Sequence, residues 1–206
     1  MDPIVACAHE HGLKVVADAA CALGALYKGK PVAGMGADLS VISFNGNKTV
    51  TAGGGGAVVG HDGSLMKLAR HLGTTARKGP GYDHDLVGFN YRMTNLQAAV
   101  GCAQMERLAQ LLAAKRRIRA AYDRAFAGLA GMAPFPGGSD DHNACWLSGV
   151  VTSDAGQAEA LRARLNAGGI EAKPFWKPIH LQPPYRDAPR TAQTASDSLW
   201  QRVVTL

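Results

Sequence analysis

Three short β-branched runs, Leu13–Ala17, Leu39–Phe44 and Ala57–Val59, alternate with helical and glycine-bearing stretches, and this alternation constrains the chain most. Apolar runs this short, bounded by Gly, Asp and Asn, read as buried strands, and the helices between them place the sheet in an α/β protein. The first run ends at Asp18, the second delivers Ser43, and the third follows the four glycines Gly53–Gly56.

The helices are legible from their ends. Asp2 as N-cap, Pro3 at the first helical position and Gly12 just past the end predict an opening helix. A second helix is expected over Ser64–Leu72. Gly73–Arg92 is polar, bears glycines and has no periodicity; a loop of that length is usually functional. Thr94-Asn95-Leu96-Gln97 has the form of a capping box. It opens a long helix, broken once, that reaches Leu129 on the apolar positions Leu108, Leu111, Leu112, Ile118, Tyr122, Ala125 and Leu129.

Gly131–Asn143, rich in Gly, Pro and Asp, reads as a boundary between a domain over 1–130 and another over 131–206. Beyond it the pattern predicts a strand over Ala144–Thr152, a helix capped by Asp154 and ended by Gly168-Gly169, and a strand over Ile170–Phe175. A proline-rich loop, Lys177–Pro189, leads to a last helix from Ser196 that is still running at Leu206.

Composition excludes several classes. With 47% hydrophobic and 18% charged residues, the chain is globular rather than disordered. No apolar run approaches the ~20 residues of a membrane helix, and Met1-Asp2-Pro3-Ile4 lacks the character of a secretory leader. A cytoplasmic protein without membrane insertion is expected. Cys7, Cys21, Cys102 and Cys145 form no CxxC pair and read as reduced, mostly buried thiols. His9-Glu10-His11 lacks metal-ligand spacing, so no metal is expected. The net charge of +6 favours an anionic partner. Its densest cluster, Lys115, Arg116, Arg117 and Arg119, reads as the solvated face of a helix. No groove-entering motif or interleaved aromatics point to nucleic acid, whereas a phosphate-bearing small molecule fits the charge. Gly53–Gly56 precedes a strand instead of following one, which excludes a dinucleotide-binding loop. Trp146, Trp176 and Trp200 read as core or interface residues.

Three features carry chemistry. Asp18 stands at the C-terminal end of a strand, the edge where open α/β sheets bind ligands. Ser43-Phe44-Asn45-Gly46-Asn47-Lys48 runs from a strand through a turn to a lysine, and a desolvated amine can form a Schiff base. Phe89-Asn90-Tyr91-Arg92 places an amide, a phenol and a guanidinium before a helix start, where Arg92 can grip a carboxylate or phosphate. An acid, an amine and a hydroxyl are the groups that pyridoxal phosphate requires for its pyridine nitrogen, aldehyde and phosphate.

Asp18-Ala19-Ala20, Ser43–Lys48 with its glycines, Phe89–Arg92 and Trp176-Lys177-Pro178-Ile179-His180-Leu181-Gln182-Pro183 resemble the DegT-type nucleotide-sugar aminotransferases, in order and along essentially the whole chain. The chain is most similar in motif to the branch acting on UDP-linked 4-keto-6-deoxy-N-acetylhexosamines, the bacillosamine and legionaminic acid type. The resemblance implies an α/β fold of the aspartate-aminotransferase type (fold type I), with 1–130 as part of the large cofactor domain and 131–206 as part of the small C-terminal domain. It implies pyridoxal 5'-phosphate as cofactor, glutamate as amino donor and a homodimer with shared sites. Residue by residue, Lys48 matches the lysine that bonds the cofactor and shuttles the proton, Asp18 the partner of the pyridine nitrogen and Ser43 a phosphate ligand. Asn90 matches a residue that reaches the neighbouring subunit's cofactor. Arg92 and His180 fall in motifs near the sugar nucleotide. Cys21 stands among the cofactor-binding positions where family members usually carry Gln or Glu.

The resemblance also implies a partial chain, lacking the segment that supplies an aromatic residue over the cofactor and part of the phosphate cradle, and so inactive alone. Two rival readings remain: a non-catalytic fragment, and a sugar dehydratase of the same fold. The dehydratases carry histidine at the lysine position, and Lys48 argues against them.

Overall fold

The computed structural model describes residues 1–136 and 141–206. Part of the boundary expected at Gly131–Asn143 lies outside the described residues. In chain order the elements are α1 (Asp2–Glu10), β1 (Val16–Asp18), β2 (Leu26–Tyr27), β3 (Lys30–Pro31), β4 (Leu39–Ser43), β5 (Gly56–Val59) and α2 (Gly63–Gly73). They continue with β6 (Arg77–Lys78), β7 (Asp83–His84), α3 (Asn95–Glu106), α4 (Leu108–Phe126), β8 (Met132–Pro134) and β9 (Asp141–His142). The last are β10 (Gly149–Thr152), α5 (Ala155–Ala167), β11 (Lys173–Pro174), α6 (Thr194–Leu199) and β12 (Val203–Thr205).

The chain forms two compact units. The first holds Met1–Lys115 and a returning segment that ends at Trp146; the second begins at Arg116 and includes Leu147–Leu206. The division therefore falls within α4, and the chain passes between the units more than once.

In the first unit β4 is the centre of a sheet ordered β1-β4-β5. β1 pairs with it in parallel, with Asp18 opposite Val41, and β5 is antiparallel, with Gly56 opposite Ser43. Ala19, Val32 and Ile42 form the buried core beneath this sheet. Asp38 ties its start together: its carboxylate accepts from the Val15 N–H at 2.8 Å and contacts His9 and Lys14 at 3.0 Å each. These partners, the Val15 N–H first, hold the Asp38 carboxyl well below the usual carboxylate range.

In the second unit all pairings are antiparallel, in the order β11-β12-β10-β8. Val150 and Val204 are buried there with Phe126, Ala158 and Ala172. α5 covers this core, and Asp154 caps it by accepting from the Gln157 N–H at 2.8 Å. The chain reverses just past the end of α5, at Gly169, whose φ of +79° only glycine adopts readily. The Ile170 N–H then returns to the Leu165 carbonyl at 2.9 Å.

Several expectations need correction. Met1, not Asp2, is the N-cap of α1, and it makes no side-chain cap; Asp2 lies in the first turn. The first strand is Val16–Asp18, because the reversal after Gly12 uses Leu13, whose N–H bonds back to the Ala8 carbonyl at 2.8 Å. Gly73–Arg92 is not without structure: β6 and β7 form a hairpin, and Asn90 bridges to Thr74. The strand expected over Ala144–Thr152 is confined to Gly149–Thr152, since Cys145 takes a left-handed φ of 51°. The strand expected over Ile170–Phe175 is confined to Lys173–Pro174.

The last helix is Thr194–Leu199 only. The β-branched pair Val203-Val204 then forms β12, an inner strand of the second sheet, instead of continuing the helix. Among the cysteines, Cys7, Cys21 and Cys102 are exposed and Cys145 is half-buried, so the buried thiols expected from sequence are not found. Arg116 and Arg117 are exposed as expected, but Lys115 and Arg119 are half-buried. Lys115 donates to the Trp146 carbonyl at 3.5 Å, and Arg119 pairs with Asp123 at 2.8 Å.

Candidate functional site

Parallel pairing of β1 and β4 brings their C-terminal ends to one edge of the first unit's sheet, so Asp18 and Ser43 emerge on the same side. Asp18 is exposed, and one of its carboxylate oxygens accepts the Ala20 N–H at 3.0 Å. This short turn starts Ala19 on its path into the core, where it is 2% exposed. Ser43 Oγ accepts the Asn45 N–H at 3.2 Å, and the Lys48 N–H closes a turn onto the Asn45 carbonyl at 3.0 Å. The turn read from Asn45-Gly46 is thus present, and it lifts Lys48 off the strand end.

Lys48, Cys21, Ser43, Ala20, Val50 and Trp146 line one crevice at this edge. The Lys48 ammonium donates to Cys21 Sγ at 3.1 Å and lies 3.6 Å from the centre of the Trp146 ring. The negative face of an indole attracts such a charge. Trp146 is anchored in turn: its Nε1–H donates to the Asn47 carbonyl at 2.7 Å. Trp146 is the residue that sequence reasoning missed: the sequence reads it as core or interface, whereas its ring flanks the lysine. It lies 99 positions from its Asn47 partner, and no local pattern announces it.

The glycines Gly53–Gly56 have a local cause. A side chain on Gly56 would collide with the Ile42 carbonyl of β4, and one on Gly55 would lie 2.8 Å from Met93 Cε. The close approach they permit is therefore to the neighbouring strand and to Met93, on the segment leading into α3. The capping box opens α3 as expected: the Gln97 N–H donates to Thr94 Oγ1 at 3.3 Å and the Thr94 N–H to Gln97 Oε1 at 3.2 Å.

The remaining expected residues do not line this crevice. Asn90 and Arg92 are exposed on the segment before α3. The Tyr91 N–H bonds to the Gly73 carbonyl at 3.0 Å, and the Phe89 and Tyr91 rings stack at 5.1 Å, which stiffens that segment. His180 belongs to the second unit. Its Nε2 lies 2.7 Å from Asp197 Oδ1, and it borders a cavity with Trp176, Tyr185, Arg190 and Trp200. Among the described residues no group of His, Cys, Asp and Glu could hold a metal ion. No described helix is long and apolar enough to cross a membrane.

Comparison with known proteins identifies the family and the fold. The profile of the DegT/DnrJ/EryC1/StrS aminotransferase family matches residues 1–206. GDP-perosamine synthase of Caulobacter vibrioides is 38% identical over 205 residues, which cover 97% of this chain and 53% of the relative. The UDP-4-amino-4,6-dideoxy-N-acetyl-beta-L-altrosamine transaminase of Campylobacter jejuni is 37% identical over 131 residues, covering 61% of this chain and 34% of the relative. The structure of Streptomyces venezuelae DesV, solved in complex with a ketimine intermediate, superposes with a TM-score of 0.88 at 30% identity, covering all of this chain and 55% of that one. The chain thus spans about half the length of the first curated relatives it matches. Over that span it has fold type I, the aspartate-aminotransferase architecture expected from sequence. A profile matched from the first residue to the last, on a fold shared with DesV, leaves one conclusion: the chain belongs to the DegT/DnrJ/EryC1/StrS aminotransferase family, whose cofactor is pyridoxal phosphate.

Proposed function

We propose that this chain is the cofactor-bearing part of an enzyme that transfers an amino group from glutamate to the keto carbon of a nucleotide-linked deoxy sugar, for bacterial glycan synthesis. The observation that carries this reading is the lysine at the strand edge: Lys48 shares one crevice with Ser43 and Cys21, beyond the end of a parallel pair whose other strand ends in Asp18.

This donor set fits pyridoxal phosphate, having a carboxylate for the pyridine nitrogen, a hydroxyl for the phosphate and a primary amine for the aldehyde. When bound, that cofactor supplies the electron sink that makes a carbon next to nitrogen acidic. Lys48 then holds and moves the proton at its Nζ. Asp18 keeps the pyridine nitrogen protonated through opposite charge. Ser43 binds phosphate, Cys21 stands among the cofactor-binding residues, and Asn90 reaches the cofactor of a second subunit in a homodimer. Arg92 and His180 bind the sugar nucleotide. In this reading 1–130 is part of the large domain and 131–206 part of the small one.

Among the nucleotides that the relatives carry, GDP is favoured over the UDP expected from motif by identity and coverage taken together: a UDP-linked 3-aminotransferase spans all of this chain, but at 30% identity against 38%. The GDP-perosamine synthase match covers 97% of this chain, and the UDP-altrosamine transaminase match covers 61%. A dehydratase is disfavoured by Lys48 itself.

Borohydride reduction after loading with pyridoxal phosphate tests the reading. The cofactor is expected on the peptide containing Lys48 and is expected to vanish in Lys48→Arg, because a guanidinium does not condense with the aldehyde. Label on another lysine, or none with cofactor bound, would overturn the reading. Supplying GDP- and UDP-linked keto sugars to the full-length protein decides the nucleotide.

A further inference from the structure

Cys21 departs from the residue types expected at its position, and the structure shows what replaces them: an exposed thiol whose sulfur receives the Lys48 Nζ–H at 3.1 Å. Among the described residues Cys21 is the cysteine whose sulfur contacts a side-chain amine. Trp146 holds that amine in place from its ring face at 3.6 Å. We propose that Cys21 and Lys48 form a peroxide-sensitive thiol–amine pair, in which oxidation of the sulfur ties it to Lys48 Nζ through a reversible S–N bond.

The chemistry balances in two steps. Hydrogen peroxide oxidises the Cys21 thiol to a sulfenic acid, the sulfur losing two electrons and the peroxide leaving as water. The Lys48 ammonium releases one proton to solvent; the neutral amine then donates its lone pair to sulfur, the S–O bond breaks, and hydroxide departs with a further proton from nitrogen as a second water. The product is a sulfenamide. Backbone nitrogens are known to trap sulfenic acids in this way, and an amine is a better nucleophile than an amide. The amine already touches the sulfur, and its flexible four-carbon stem lets it close the remaining gap. Reduction reverses the link: an added thiol attacks sulfur, the S–N bond breaks, the amine leaves with a proton, and a second thiol frees Cys21 from the mixed disulfide.

The consequence rests on the function proposed above: a lysine bonded to sulfur cannot take the cofactor, so the pair would switch cofactor loading with redox state. The link itself does not depend on that reading.

The test uses the purified chain without cofactor. After brief exposure to dilute hydrogen peroxide and digestion without reductant, mass spectrometry should find the peptides of Cys21 and Lys48 joined, and dithiothreitol should separate them. Cys7 and Cys102, also exposed, serve as internal controls and should give no amine cross-link. In Lys48→Arg the sulfenic acid should persist and be captured by dimedone, whereas the unaltered chain should resist dimedone once the link has formed. Dimedone capture of Cys21 at equal yield in both chains, or over-oxidation of Cys21 with no joined peptide, would overturn the proposal. Oxidised protein should also lose borohydride-fixed pyridoxal phosphate at Lys48 and regain it after dithiothreitol. If the joined peptide forms but the reduced protein never fixes cofactor at Lys48, the functional reading fails and the thiol–amine pair stands.

Discussion

Val50 is fully buried, lies two residues beyond Lys48, and lines the crevice that holds the lysine. Val50→Ala removes two methyl groups from that site. Their transfer out of water is worth about 1.6 kcal/mol, at roughly 0.8 kcal/mol per carbon. An unrelaxed cavity of about 50 Å³ adds roughly 1 kcal/mol, at about 24 cal/mol per Å³. The substitution should therefore destabilise the chain by roughly 2–3 kcal/mol. Urea unfolding followed by tryptophan fluorescence should show the midpoint falling by about 1–1.5 M, if the slope is near 2 kcal/mol per M. Val50→Thr separates volume from polarity, because it keeps the shape while burying a hydroxyl. A loss below about 1 kcal/mol for Val50→Ala would mean that the wall collapses onto the space, and that Val50 does not brace the turn carrying Lys48.

Two further outcomes are expected. Thr94→Ala should break the capping box and cost about 1 kcal/mol, with faster amide exchange in the first turn of α3; unchanged exchange there would show that packing alone holds the helix start. Asp38 has a folded-state pKa depressed by the Val15 N–H, His9 and Lys14, so its contribution is fully present above the unfolded value of about 3.9 and is lost as pH falls through the folded value. Asp38→Asn should accordingly be less stable than the parent near neutrality, and the two should converge in acid titrations followed by circular dichroism. A difference that persists undiminished in strong acid would assign the effect to something other than the carboxylate's charge.

Local signals were legible wherever a few neighbouring residues decide the outcome. The capping box at Thr94–Gln97, the cap at Asp154, the reversals at Gly12 and Gly169 and the turn before Lys48 each depend on backbone geometry within about one helical turn, and all are present. The short strands around Asp18 and Ser43 were legible for the same reason. Val203-Val204 was not: a short apolar pair at the end of a helical pattern has no periodicity of its own. What made it a strand was β10 on one side and β11 on the other.

The site divides along the same line. The motif residues Asp18, Ser43 and Lys48 could be named from sequence, since each ends a strand or follows a turn that the chain encodes locally. The pairing of β1 with β4 places the first two at one edge, and that is a long-range hydrogen-bond register. Sequence by itself determined which groups are available: an acid, a hydroxyl, an amine and, unusually, a thiol. Only the tertiary structure decided their neighbours, setting the Lys48 amine against the Cys21 sulfur and the Trp146 ring. Those contacts join residues 27 positions apart in one case and bring in a tryptophan from a distant segment in the other. Contacts at such separations arise from packing the whole unit, whereas composition and spacing act only over the reach of a turn.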